Sequence, residues 1–589
     1  MSSLVLYIKN FFVKNKLVII LILAGFLTYA NSLNNEFLFD DQGFILDNFN
    51  IKNFDIPKIF TTNTVAGSGI VSDYYRPLTS ITFAIDYKFW GQNPFGFHLT
   101  NLILHILTGL ILFLFLKKIK ISELVSFFIT LIFLVHPAAI EAVTYISSRG
   151  NIVYSLLTLL SLYLFAFSFN KSIPKISNKL LLLLSVLIYG VSIFGKEVAL
   201  GVFPLYITVL GIFYLDLNLS IKKFHQKYRA QIIDFLFIIW IALMYMILRL
   251  YFLNFNDSLN FINAQNVYTE NLAVRIYTFF KIIWTYLSVM LFPYPLYFER
   301  DTEIVTSFFS LPVISTILLI ITALGLSIWE FKKKKTIYIF FGFLWMSVHL
   351  LPVSGVIPMT YLLHENWLYM PLVGLLIFIV YTYKLFLPKT SPIILKSFIF
   401  LVSAISITLI FLTIRQNTLW KNPQTFYEYN MRFSDSTRIK INLAAYYMST
   451  GKVEEAKGLL KSIIDSGVPS HKAHYNLGVI LDSEEKYKEA EQEYLATIRL
   501  DPTFLYTYHR ITNLYIKMGQ KEKAIPYIKI LSEIYPEEKA FLMIYGRVLW
   551  ETGNKELAEE QFKKAITVTN HNPVILKQVE EIKTGKVSW

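Results

Sequence analysis

The stretch LILHILTGLILFLFL, residues 102–116, decides the class of this chain. It fits a helix of the roughly 20 apolar residues needed to cross a hydrocarbon core. LVIILILAGFLTYA (17–30) reads the same way. Similar segments recur up to about residue 415, at 15–33, 97–117, 122–136, 150–169, 179–194, 198–215, 231–253, 307–329, 337–353, 366–384 and 393–414. The fold expected is all-α, with about eleven crossings. Composition agrees: 54% of the 589 residues are hydrophobic and only 16% charged, against about a quarter in soluble domains. Mean hydropathy is +0.49. The net charge of +14 does not point to nucleic acid, because the basic residues gather in short loops between apolar segments. With no cysteine, structural disulfides and thiolate metal sites are excluded. The first apolar segment follows Lys9, Lys14 and Lys16 like a leader. It lacks a small-residue cleavage site and is expected to be a retained helix.

Charge sets the topology. With the N-terminus in the cytoplasm, the inner loops 1–16, 117–123, 170–179, 216–230, 330–336 and 384–397 hold 20 Lys/Arg and three acids, Glu123, Asp216 and Glu330. The outer segments up to residue 366 hold nine Lys/Arg and fifteen acids. The segment 272–297 is also apolar, but a crossing there would move Lys332–Lys335 outside. It is therefore expected to re-enter or to lie along the interface. Eleven crossings put the C-terminal region on the extracytoplasmic side.

That region repeats every 34 residues from Thr437, His471, Leu505 and Lys539. Small residues recur at the eighth position (Ala444, Gly478, Thr512, Gly546) and the twentieth (Ala456, Ala490, Ala524, Ala558). Gly451, Gly519 and Gly553 mark inter-helix turns, and Pro502 and Pro536 end second helices. This is the tetratricopeptide (TPR) pattern of stacked helix pairs. The expected organisation is a membrane domain over 1–415 with its first outer loop at 34–97, a linker over 416–436, and four repeats plus a capping helix over 437–589.

Polar residues that carry chemistry gather at the outer ends of the spans. NNEFLFDDQGFILDN sets Asp40 and Asp41 side by side after an apolar stretch. Adjacent carboxylates are costly near low dielectric unless solvated or used, and one of them has the chemistry of a general base. A solvated loop or a helix N-cap explains the pair equally well. Arg76 lies in the same loop. His98, Asn101 and His105 share one helix face. His136, Glu141 and Arg149 mark another outer boundary, Lys196 and Glu197 a third, Arg249 a fourth, and His364, Glu365 and Tyr369 a fifth. Arginine and lysine at this depth suit a lipid phosphate. Taken singly, each basic residue reads as snorkelling and each histidine as a satisfied helix–helix contact. His98, His105, His136 and His364 have no tight ligand spacing, so no metal is assigned to them, and the use of a divalent ion stays open.

Taken in order, FDDQ, YYRPLTSITF, GFHLTNLILH, LVHPAAIEAVTYISSRGN, GKE, LRLYF, LFPYPLYFERD and LPVSGVIPMTYLLHENWLYMP resemble the membrane part of the TMTC proteins and their bacterial relatives, joined to TPR repeats. The resemblance covers nearly the whole chain. It implies a GT-C-type glycosyltransferase that moves a sugar from a polyprenyl-phosphate donor to an acceptor hydroxyl outside the cytoplasm, with inversion. The eukaryotic members are O-mannosyltransferases acting on Ser/Thr of proteins, which implies mannose or another hexose here. It also implies a base at Asp40 or Asp41 and donor-phosphate contacts from Arg76, Arg149, Lys196, Arg249 and His364. His98, His105, His136, Glu141, Glu197, Glu365 and Tyr369 would support them. The family follows the acid at Glu365 with arginine; here Asn366 stands there. The TPR groove would bind an acceptor polypeptide. The alternatives are a non-enzymatic scaffold, which has no need of charged residues at outer helix ends, and a lipid-linked sugar transporter, which places them at the midplane with internal symmetry. Abundant Lys, Asn, Ile and Phe suggest an AT-rich genome, hence a prokaryotic cytoplasmic membrane and an undecaprenyl donor.

Overall fold

The computed structural model describes residues 2–69, 72, 74–170, 172, 174–252, 266–300, 302–356, 362–387 and 392–586. Asp73, Lys171, Asp257, Asp301 and Lys389, which entered the charge counts, and residues 357–361 of the last outer motif lie outside these. Every regular element among the described residues is helical. The chain divides into two compact units, Met1–Ser434 and Asp435–Trp589.

In the first unit the principal helices are α1 (Ser2–Tyr29), α2 (Pro77–Trp90), α3 (Pro94–Lys118), α4 (Glu123–Val135), α5 (Gly150–Phe167), α6 (Lys175–Ile193), α7 (Pro204–Leu217), α8 (Arg229–Ile247), α9 (Leu272–Leu291), α10 (Leu311–Lys334), α11 (Tyr338–Leu350), α12 (Pro371–Phe386), α13 (Pro392–Leu419) and α14 (Pro423–Asn430). Among the described residues nine helical segments are long and apolar enough to cross a membrane; α4 with the short helix after it makes a bent tenth, and α11 and α12 are shorter apolar helices.

Cross-helix contacts sort the helix termini into two ends. At one end the Tyr338 hydroxyl donates to Ile119 O (2.9 Å), Lys120 approaches Asp216 (3.8 Å) and Lys333 Nζ donates to Leu385 O (3.3 Å). At the other, Asn31 Nδ2 donates to Ile414 O (2.9 Å) and Asn417 Nδ2 to Thr28 O (3.1 Å). Asp40 and Asp41 belong to this second end. Helix α9 is long and apolar enough for a span, yet both its ends meet the Asp40 end. Arg275, in its first turn, donates to Gly355 O (2.6 Å), beyond α11. Met290, in its last turn, accepts at its carbonyl oxygen from His136 Nε2 (3.0 Å). Midway, Phe280 O accepts the Thr316 hydroxyl from the start of α10 (2.9 Å). A 20-residue helix is about 30 Å long, so one that crossed would divide its ends between the two sides. Its buried side is Val274, Thr278, Ile282, Tyr286, Val289 and Met290, while Leu272, Trp284 and Leu291 are exposed. This one-sided helix lies across the bundle end, which agrees with leaving 272–297 out of the crossings, and it is a continuous helix rather than a re-entrant hairpin.

The stretch 416–436, expected to be a linker, is largely helical and packed. Helix α13 runs on to Leu419, Asn417 is fully buried, and Trp420, Phe426 and Tyr427 are buried on and around α14. Polar side chains with helix-end partners keep the chain ordered where composition alone reads as a connection.

The second unit consists of the helix pairs Thr437–Ser449/Val453–Asp465, His471–Ser483/Tyr487–Leu500, Tyr506–Lys517/Lys521–Ile534 and Lys539–Glu551/Lys555–Val568, followed by Pro573–Lys583. The small residues do what the period demands. A Cβ on Gly478 would stand 2.7 Å from the Tyr494 ring, and one on Gly546 2.6 Å from Phe562. Gly451, Gly519 and Gly553 turn at φ of +80°, +70° and +87°. Glu485 holds the same position in the second repeat at φ +59°, at a conformational cost that glycine avoids. Val579 of the last helix joins Phe562 and Leu549 in one apolar cluster, as expected of a cap.

Candidate functional site

The Asp40 end is organised by one short segment, Tyr145–Asn151, which leads into the first turn of α5. Its successive side chains reach in different directions. The Ser147 N–H donates to Asp41 Oδ1 (2.8 Å), and the Ser147 hydroxyl donates to the same oxygen. Asp41 Oδ2 accepts the Leu38 N–H (2.9 Å). Asp41 is buried, and that burial pushes its carboxyl up to about 7 in spite of three donors. Asp40 next to it is exposed. The Asp40 N–H donates to the Tyr145 hydroxyl (3.1 Å), which also hydrogen-bonds the Asp40 carboxylate.

Cations line the next part of the site. Arg76 grips Glu197 with two bonds, Nε to Oε2 (3.0 Å) and Nη2 to Oε1 (2.6 Å), and stacks on Tyr74. Lys196 is buried and donates to Asn151 Oδ1 (2.7 Å). Burial, and then the Arg76 charge, lower the Lys196 ammonium to about 7. Arg249 interacts with the Tyr245 hydroxyl and with the charge on Glu197.

On the other side, Glu141 receives Asn366 twice, from its N–H and from its side-chain amide, both at 3.0 Å. The Asn366 amide also donates to the Ser148 hydroxyl (3.1 Å), and His364 Nδ1 stands 3.3 Å from Glu141. Asn366 therefore makes polar contacts at the position where the resemblance implied an arginine. The neighbouring acid finds its cation elsewhere in the chain: Arg300 donates through Nε (3.1 Å) and Nη2 (2.5 Å) to Glu365 Oε1 and stacks 4.0 Å over Tyr297. Burial, opposed by Arg300, leaves Glu365 raised to about 7. Three ionisable groups brought near neutrality at one end of a bundle mark a candidate site.

Some expected site residues do other work. Arg149 is a correction. It is fully buried, with Nε on Asn101 (2.5 Å), Nη1 on Thr82 (3.2 Å), and Nη2 on Phe97 O (3.0 Å) and Asp86 (2.6 Å). Its donors are committed to tying α2 and α3 to α5, and it has no face left for a phosphate. His105 pairs with the Tyr369 hydroxyl (2.8 Å) and Leu134 O (3.1 Å), so both of these supporting candidates are helix–helix contacts. His136 accepts the Ala138 N–H (3.1 Å) and meets Met290 O; it caps a helix break. His98 is buried beside the Asn35 backbone. Sequence reasoning missed Tyr145, Ser147, Asn151, Asp86, Arg300 and Asn366. YISSRGN and FERD carry these residues, but nothing in either motif signals that Ser147 reaches back to Asp41 or that Arg300 reaches forward to Glu365.

Fold and site define a polytopic α-helical membrane protein with a charged, partly buried site at one end of its bundle, joined to a helical repeat array. The tetratricopeptide repeat family matches residues 441–503 and 512–573. The chain is similar to the protein O-mannosyl-transferase F38B6.6 of Caenorhabditis elegans, 23% identical over 82% of this chain and 63% of that one. It is similar to TMTC3 of Mus musculus, 23% identical over 92% and 63%, and to TMTC1 of Homo sapiens, 32% identical over 31% and 22%. The resemblance to TMTC proteins is thus borne out over more than four fifths of the chain. The chain covers less than two thirds of the length of each of these relatives.

Proposed function

We propose that this protein is a glycosyltransferase that moves a hexose, mannose in the first instance, from a polyprenyl-phosphate donor to a Ser/Thr hydroxyl of a polypeptide. The observation that carries the reading is the exposed Asp40 carboxylate, set on the same short segment that holds the buried Lys196 beside Arg76. The named activity of the relatives supports it. In the reaction, the acceptor oxygen attacks the anomeric carbon from the face opposite the phosphate. The bond from that carbon to the phosphate oxygen breaks, its electron pair stays with the phosphate, and the configuration inverts. The hydroxyl proton passes to a carboxylate of the Asp40–Asp41 pair. Lys196 and Arg76 stabilise the charge on the departing phosphate, with Arg249 and His364 at its margin. Arg149 has no part in this. A prenyl tail fits a site at the end of apolar helices, and an undecaprenyl chain is the first donor to try.

The test is sugar transfer by the purified full-length chain from undecaprenyl- and dolichyl-phosphate mannose to a Ser/Thr peptide. Replacing both aspartates with asparagine should abolish transfer in a protein that still inserts and folds. Normal transfer by that variant would sink the proposal. The repeats are proposed to bind the acceptor polypeptide on the extracytoplasmic side. Because the chain has no cysteine, Thr503→Cys gives a clean label. Labelling from the cytoplasm would overturn that orientation.

A further inference from the structure

Asp40 and Asp41 are adjacent in sequence but differ in surroundings. Leu38–Asp41 is a tight turn in which the Asp41 N–H donates to Leu38 O (3.0 Å) and the Leu38 N–H donates back to Asp41 Oδ2. Its second residue, Phe39, sits at φ +53°, a left-handed backbone that a bulky side chain adopts only when packing holds it. The packing is present: the Phe39 ring meets Phe298 at 5.2 Å and Tyr145 at 6.5 Å, edge to face. The turn sends the two carboxylates opposite ways, one inward to Ser147 and one outward.

The segment that receives them does so with two residues. Tyr145 meets Asp40 through its hydroxyl, and its ring is fixed among Phe39, Phe298 and Trp420. Ser147, two residues on, gives both its N–H and its hydroxyl to Asp41. A carboxylate that accepts three donors and is closed off from solvent cannot reach an acceptor hydroxyl. The exposed one can. The charged and titratable groups facing the pair are Tyr145, on both, and Arg149, whose charge acts on Asp41 from the residue before α5.

We propose that Tyr145 and Ser147 are positioning residues that divide the pair, Ser147 anchoring Asp41 as the fixed end of the turn and Tyr145 aiming Asp40, which alone takes the acceptor's proton. This rests on the glycosyltransferase reading for the reaction, and on the hydrogen bonds of the turn alone for the division of roles. In the step, the acceptor O–H bond breaks, its proton goes to an Asp40 oxygen, and its electron pair forms the bond to the anomeric carbon.

The experiment uses the full chain in lipid nanodiscs with undecaprenyl-phosphate mannose and a Ser/Thr peptide. Tyr145→Phe keeps the ring and its packing. It should lower kcat about 10- to 100-fold with the donor KM within about twofold, and it should move the acid limb of the pH–rate profile. Asp41→Asn should keep transfer above about 1% of wild type with that limb in place, whereas Asp40→Asn should lose both. Infrared titration of the 13C-aspartate-labelled protein needs no substrate: Tyr145→Phe should shift one carboxyl and Ser147→Ala a different one. The proposal falls if Tyr145→Phe matches wild type in kcat and pH limb, or if Asp41→Asn is as inactive as Asp40→Asn. Should the wild type move no sugar, the functional reading fails by itself, and the titration decides the division of roles: two distinct shifts uphold it, and a shared or absent shift overturns it.

Discussion

The two ends of the membrane unit both carry charge, and they carry it differently. At the end where α10 meets α11, Lys332, Lys333 and Lys335 are exposed, and Glu330 is spent on its own neighbourhood, accepting the Tyr338 and Ile339 N–H groups and the Thr336 hydroxyl. At the Asp40 end the partners come from far along the chain: Arg76 with Glu197, Arg149 with Asp86, Arg300 with Glu365, Glu141 with Asn366. The lysines there are solvated, as is the Lys120–Asp216 contact, and the buried Glu330 is satisfied by donors no more than nine residues away; such charge orients a bundle and contributes little else. Charge withdrawn from water and shared between distant segments is costly unless paired, and it marks the candidate site.

The comparison can be broken most severely at Asp40. Asp40→Asn should reduce sugar transfer by about 100-fold or more, the range of a lost general base, measured as initial rate at saturating donor. Next comes the buried pair behind it. Asp86→Ala leaves the Arg149 guanidinium without its counter-charge, and unfolding of the membrane unit should become easier by about 3–5 kcal/mol. A midpoint unchanged in a thermal or denaturant titration would show that this bridge is not what ties α2 to α5.

The dependence on pH is a smaller effect with a definite sign. Asp41 and Glu365 have native values near 7, above those of an unfolded carboxyl. Between about pH 4 and 7 these two groups therefore hold more protons in the native state than in the unfolded one, and their contribution to stability falls as pH rises through that window. Lys196 is depressed to about 7, so above 7 the unfolded state binds more protons, and stability rises again towards alkaline pH. The contribution of these three groups has its minimum near neutrality, and it is read as the difference between wild type and variants. Asp41→Asn should shallow its acid side and Lys196→Met its alkaline side, with thermal midpoints across pH 5–9.5 as the measure. The smallest effect belongs to the other end: Lys332→Ser should change stability by less than about 0.5 kcal/mol and transfer by less than twofold.

The fold was legible because its signals are local and repeated. An apolar run of 20 residues and a 34-residue period survive any detail of packing, and the charge count left α9 out of the spans before its contacts were seen. The site was legible only as far as ionisable residues at span ends reveal themselves. Arg76 and Arg149 look alike in sequence, and what separates them is Asp86, buried beside one and not the other. Ser147 and Asn151 are small and neutral, so nothing in composition distinguishes them from the many serines and asparagines that cap helices. Arg300 was hidden by distance along the chain, since its acid lies 65 residues later. The packed stretch around Trp420 and Phe426 read as a linker because its charged and aromatic residues resemble those of a surface.

Tyr145–Asn151 has one more consequence. Ser147 holds a carboxylate, Ser148 an amide, Arg149 a buried acid and Asn151 an ammonium, all from a single run of backbone. Four grips on one rail cannot be adjusted separately. Deleting any residue from the run would rotate every later grip away from its partner, so length is under stricter constraint there than identity.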